Sequence, residues 1–230
     1  MENGYSPLLS LITAAFEIGA AVWVLRGPGE KRFLRKVALL LVVLAGYQLA
    51  EVVVCAQPER LFWSRLAFCD IVWLPPLGLS LLADYSSPIP NWARRVVQGS
   101  FVYAAAMCVW VFVDPANISG TVCSTVLAMY RHDALAFHIV YGGFYEAGML
   151  ALIIVPSVVM RGSNNQRQRA LLADLQFGVV GFVFPAFITQ ISWTEIDPAI
   201  PSLMCHYAIV LAFFLVRSVA RERRYESSSS

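Results

Sequence analysis

Long, nearly unbroken apolar runs recur along the chain, separated by short polar segments. They do not alternate with the two-residue period of a half-buried strand, and they are too evenly apolar for the one-sided stripe of a soluble helix. Crossing a hydrocarbon core of about 30 Å takes roughly 20 mostly apolar residues. Seven windows meet that requirement, at about 7–26, 37–56, 64–84, 96–114, 134–157, 171–192 and 200–219. They occupy about two thirds of the chain, which leaves no room for a separate soluble domain. The pattern predicts an all-α integral membrane protein: a single seven-transmembrane helix bundle over 1–225 and a disordered tail over 226–230. Ten-residue segments of alternating polarity, the mark of an outer-membrane barrel, are absent.

The polar segments add a direction. With seven spans, the loops alternate between the two sides of the membrane. One side then carries 14 of the 17 basic residues, from Arg26, Lys31, Arg32, Arg35 and Lys36 through Arg94, Arg95, Arg161, Arg167 and Arg169 to Arg217, Arg221, Arg223 and Arg224. The other carries Arg60, Arg65 and Arg131. Lys and Arg stay cytoplasmic, so the N-terminus is expected outside and the C-terminus in the cytoplasm, in a plasma (inner) membrane. No Lys or Arg precedes the first window, so it lacks the basic start of a signal peptide.

Composition agrees. Hydrophobic residues make up 58% and charged residues 14% of the chain, and the mean hydropathy is +0.64. A soluble domain carries about 25% charged residues. This excludes a soluble enzyme, a disordered chain and a nucleic-acid binder. The expected partners are membrane lipids and a small polar or lipid-like ligand, with a second copy of the chain or a signalling protein as further partners. Gly142-Gly143 and Gly178-x-x-Gly181 would allow the close helix approach that such association needs.

Ionisable groups inside a span cost roughly 2.5–3.5 kcal/mol on insertion scales and are the default place to look for function. The predicted spans contain Glu17, Glu51, Asp70, His138, Glu146 and His206, with Gln48 and Gln190 as uncharged polar groups. At 1.5 Å per residue, Glu51, Asp70, His138 and His206 each fall roughly 8–9 Å below the outer end of their helix. Gln190 lies near the same level, and Glu17 and Glu146 are deeper. Tyr47, Glu51 and Cys55 share one helix face at four-residue spacing, bordered by Gln48. His138, Gly142 and Glu146 repeat that spacing, flanked by Tyr141 and Tyr145. Pro75-Pro76 and Pro185 would kink their helices and widen the bundle.

The expectation is an outward-facing polar cavity that binds a metal ion or a small polar or lipid-like ligand. His138, His206, Asp70 and Glu51 are the candidate ligands for zinc or another divalent metal. Glu51, Asp70 and Glu146 are the candidate acid–base residues of a metal-dependent intramembrane hydrolase acting on a lipid-like substrate. Tyr47, Gln48, Trp73, Tyr141, Tyr145, Gln190 and Glu17 would line the pocket of a binding protein. A proton-coupled transporter or sensor would relay protons through Glu17, Glu146 and His206.

In outline the layout resembles the alkaline ceramidases and adiponectin-receptor-like hydrolases. Their paired His-x-x-x-His is absent here, since the nearest histidines are His132 and His138, and no residue role carries over. Comparison with the rhodopsins predicts no retinal Schiff base, because the only lysines, Lys31 and Lys36, lie in the first basic loop. Of the five cysteines, Cys55 at a helix end and Cys123 in the loop 115–133 form the expected disulfide, which would hold that loop over the cavity as a lid. Cys69, Cys108 and Cys205 read as small apolar fillers. Asn117-Ile118-Ser119 in the same loop is an exposed glycosylation sequon.

Overall fold

The structure is a computed structural model that describes residues 6–86, 90–124, 127–132, 134–192 and 199–229. Seven helical spans are long and apolar enough to cross a membrane. They are built from α1 (Leu8–Arg26), α2 (Lys31–Ala56), α3 (Leu61–Ile71) with α4 (Leu74–Tyr85), α5 (Asn91–Val113), α6 (Leu135–Phe137) with α7 (Gly143–Gly162), α8 (Gln166–Ser192) and α9 (Ile200–Ser229). Between α5 and α6 lies a two-stranded antiparallel hairpin, β1 (Gly120–Cys123) and β2 (Ala128–Arg131), with Cys123 opposite Ala128.

The outer surface of the bundle is apolar, with Ile12, Val42, Val102, Val109, Leu150, Val158, Phe177 and Phe213 all exposed. Such a belt is an aggregation hazard in water and the expected surface in lipid. Helix α2 is central and packs on α1, α3, α4 and α9, while α9 packs on α8 and α1.

Two spans are broken where the sequence disfavours a continuous helix. In the third, a turn at Val72–Trp73 separates α3 from α4, just before Pro75 and Pro76, which sit in the first turn of α4. Proline is tolerated there because that backbone N–H has no helical partner. The fifth span contains one π-helical turn, His138–Gly142, between α6 and α7; such turns recur at functional sites. Pro185 stays inside α8.

Helix α9 runs to Ser229, well past the predicted limit at 219 and through residues expected to form a disordered tail. Its basic end is docked rather than frayed. Arg223 donates to the carbonyls of Pro28, Trp23 and Val24 and stacks over the Trp23 ring at 4.1 Å. Glu222 pairs with Arg167.

The hairpin packs onto the bundle with long-range ties. Cys55 and Cys123 lie at disulfide distance, with Cα atoms 5.7 Å apart. The Tyr47 hydroxyl donates to the Tyr130 hydroxyl at 3.1 Å in a buried position. Ser64 and Thr121 share a hydrogen bond of 2.7 Å, and the Ala128 N–H donates to Ser202 Oγ. Within the sequon Ser119 is exposed, but Asn117, the residue that would carry a glycan, is buried, and its amide donates to the Trp110 carbonyl. Cys69 and Cys108 also lie at disulfide distance and join α3 to α5, in place of the filler role expected for them.

Candidate functional site: a pocket and a buried polar seam

The polar residues expected to share one cavity fall into two groups. The first lines a pocket of about 130 Å³ between α3, β2, the α6–α7 span and the start of α9. The span contributes His138, Tyr141, Gly142, Tyr145 and Glu146, a stripe at three- and four-residue steps that survives the π turn. Helix α9 contributes Met204 and Cys205, and β2 contributes Tyr130. His132, just after β2, sets its ring 5.5 Å from that of His138.

The pocket is mainly aromatic. Phe68 is a hub, with ring centroids 5.1 Å from Tyr130, 5.8 Å from Phe137 and 5.5 Å from Tyr141. Tyr141 is fixed by a 2.5 Å hydrogen bond from its hydroxyl to the Phe68 carbonyl. Its polar groups are at the rim, where His138 and Glu146 are exposed. Leu135 and Ile139, beside His138, are 72% and 60% exposed. The mouth is thus bordered by the apolar outer surface.

The second group forms a closed seam between α1, α2 and α9. Ser10, Thr13 and Glu17 lie on one face of α1, and Gln48 and Glu51 lie on one face of α2; all five are buried. Ser10 donates to Glu51 Oε1 at 3.3 Å. The Gln48 amide donates to the Cys205 carbonyl of α9, and its Oε1 has no hydrogen-bond partner. Glu17 is 0% exposed, and neither carboxyl oxygen has a partner among the described residues.

The remaining predicted residues lie elsewhere. The Asp70 carboxylate packs against α2, where a Cβ on Gly46 would come within 2.8 Å of Oδ1. Only glycine permits that approach. Trp73 packs on Phe101 at 6.3 Å and does not line the pocket. The His206 ring is turned to the Ser202 carbonyl, four residues back, at 2.7 Å, and it also lies outside the pocket lining. The Gln190 side chain lies outside the described residues.

The four expected metal ligands each meet a different neighbour. Glu51 meets Ser10, Asp70 meets the α2 backbone, His138 meets His132 and His206 meets Ser202. Among the described residues no three of His, Cys, Asp or Glu gather as metal ligands. Equal depth, read from sequence, placed four side chains at one level but could not give their bearing around the bundle. Compared with known proteins, the chain matches no family model and no curated protein.

The sequence reading missed the wall formed by Phe68, Ile71, Phe137, Ile200, Pro201 and Met204. An isolated apolar residue on a membrane helix carries no signal that separates a pocket wall from a lipid contact. His132 had a signal: it lies six residues before His138, at the end of the lid segment.

Proposed function

We propose that this is a multi-pass membrane protein that binds a lipid-like molecule carrying a polar head, with part of that molecule inserted into the pocket between α3, β2, α6–α7 and α9. The observation that carries this reading is the pocket itself, with an aromatic interior and His132, His138 and Glu146 at its rim. Drug-sized ligands occupy sites of roughly 300–1,000 Å³, whereas a dry apolar cavity of about 150 Å³ takes a benzene-sized group. A 130 Å³ pocket therefore suits one ring or a short chain segment. The rest of the occupant lies along the apolar surface near Leu135 and Ile139, and its polar head meets the two histidines and the carboxylate. Burying that inserted group supplies the affinity, at about 25 cal/mol per Å² of apolar surface.

The excess of Lys and Arg on one set of loops supports an orientation with the pocket end outside and the C-terminus in the cytoplasm. Entry is then sideways, from the outer half of the membrane. The hairpin serves as a fixed roof, because its disulfide and its hydroxyl ties hold it in one position.

Gly142 provides the test. It lines the pocket, and a Cβ added there meets nothing within 4 Å. Gly142→Trp should fill the space without displacing backbone. Mass spectrometry of the gently purified protein should detect a bound amphiphile in the wild type and an occupancy at least tenfold lower in Gly142→Trp. Equal occupancy in the two proteins would overturn the proposal.

A further inference from the structure

The polar seam is separate from the pocket and has its own chemistry. Glu17 is 0% exposed, and both of its oxygens lack a hydrogen bond. A buried carboxyl of this kind is usually held by a neighbouring donor or a cationic side chain. Neither is present for Glu17 among the described residues: the ion pairs involve Asp84, Asp174 and Glu222 instead. A second and independent vacancy in hydrogen bonding lies on the facing helix. Gln48 is 1% exposed, and its Oε1 has no partner while its amide nitrogen is held by Cys205.

Ser10, Thr13 and Glu17 lie on one buried face of α1, and Gln48 and Glu51 lie on one buried face of α2. Helices α1 and α2 run antiparallel, and the Ser10–Glu51 bond sets their register. Three residues further along α1, and three back along α2, Thr13 stands level with Gln48. Helical side chains lean toward the N-terminus of their own helix. Glu17 therefore leans toward the level of Thr13, and Glu51 leans toward the same level from the opposite direction. The donors that these two faces offer are carboxylate, amide and hydroxyl oxygens. Such a set suits a hard cation rather than a transition metal, which would favour imidazole or thiolate.

We propose that this seam binds one sodium-sized monovalent cation, held by the Glu17 carboxylate, with Gln48 Oε1, Thr13 and Glu51 completing its oxygen shell. The cation supplies the positive charge that the fold does not provide to Glu17, and it ties α1 to α2 beside α9. This inference goes beyond the pocket and does not depend on what occupies it.

The experiment is thermal unfolding of the purified full chain in sodium chloride and in choline chloride at equal ionic strength. The wild type should unfold roughly 2–5 °C higher in sodium, at a concentration about tenfold above its dissociation constant. Glu17→Gln and Thr13→Val should lose that difference, while Gly142→Trp keeps it. Equal unfolding temperatures of the wild type in the two salts would overturn the proposal, as would an undiminished sodium shift in both seam variants. If Glu17→Gln does not fold, sodium-23 NMR decides with Thr13→Val. Saturable line broadening in the wild type that is weaker in the variant supports the site, and indistinguishable broadening contradicts it.

Discussion

Two regions of the bundle treat buried acids differently. At the end with the basic loops, Asp174 and Glu222 are almost fully buried and each meets arginine. Asp174 lies 3.4 Å from Arg217 and 3.3 Å from Arg221, and Glu222 pairs with Arg167. Asp84 likewise sits between Arg32 and Lys36. Midway along α1, Glu17 is as deeply buried, and no ion pair or hydrogen bond reaches it among the described residues. The end nearer the hairpin is held instead by hydroxyl ties and by cysteines at disulfide distance: Tyr47–Tyr130, Ser64–Thr121 and Cys55–Cys123. A buried acid in this fold is therefore not one kind of residue. Beside the basic loops it locks helices together. At Glu17, midway along α1, no such lock is present among the described residues.

The largest effect expected from breaking this contrast comes from the covalent tie. Replacing Cys55 and Cys123 by serine removes the constraint between α2 and the hairpin, at a cost of about 2–4 kcal/mol. Chemical or thermal unfolding measures that loss, and the bound amphiphile should be lost with it because β2 and His132 form part of the pocket.

A smaller effect separates the two kinds of acid. Asp174→Asn leaves Arg217 and Arg221 without their shared partner. Both arginines are partly exposed, at 43% and 27%, so water recovers some of the loss and the cost should be about 1–3 kcal/mol. Glu17→Gln breaks no ion pair, and in sodium-free buffer its stability should stay within about 0.5 kcal/mol of the wild type. Equal losses in these two variants, measured side by side by unfolding, would remove the distinction between the two regions.

The sequence carried much of this, for physical reasons. Helix length is set by the thickness of the hydrocarbon, so the seven spans were legible from apolar runs alone. The stripe His138, Tyr141, Gly142, Tyr145 and Glu146 was legible because helical spacing fixes which residues share a face. Other features depended on contacts between distant segments. His206 and Asp70 lie at the expected depth, but one turns to its own helix backbone and the other to α2 at Gly46. Trp73 packs on Phe101, a contact between distant segments that spacing along one helix does not reveal. The Cys69–Cys108 pair was hidden because spacing does not determine connectivity. The docked end of α9 was hidden because a run of Arg and Glu reads as solvated until its partners on α1 and α8 are known.

The central claim is that the pocket is real space that small apolar molecules reach. Cys205 tests it most directly. It is the free cysteine among the described residues, it is buried, and it lines the pocket. A small uncharged thiol reagent applied to the folded protein in nanodiscs should modify Cys205 in the wild type. Modification should slow at least tenfold in Gly142→Trp and vanish in Cys205→Ala. If Cys205 reacts only after unfolding, or equally fast with Gly142 replaced by Trp, the pocket is not an accessible site and the proposed function fails.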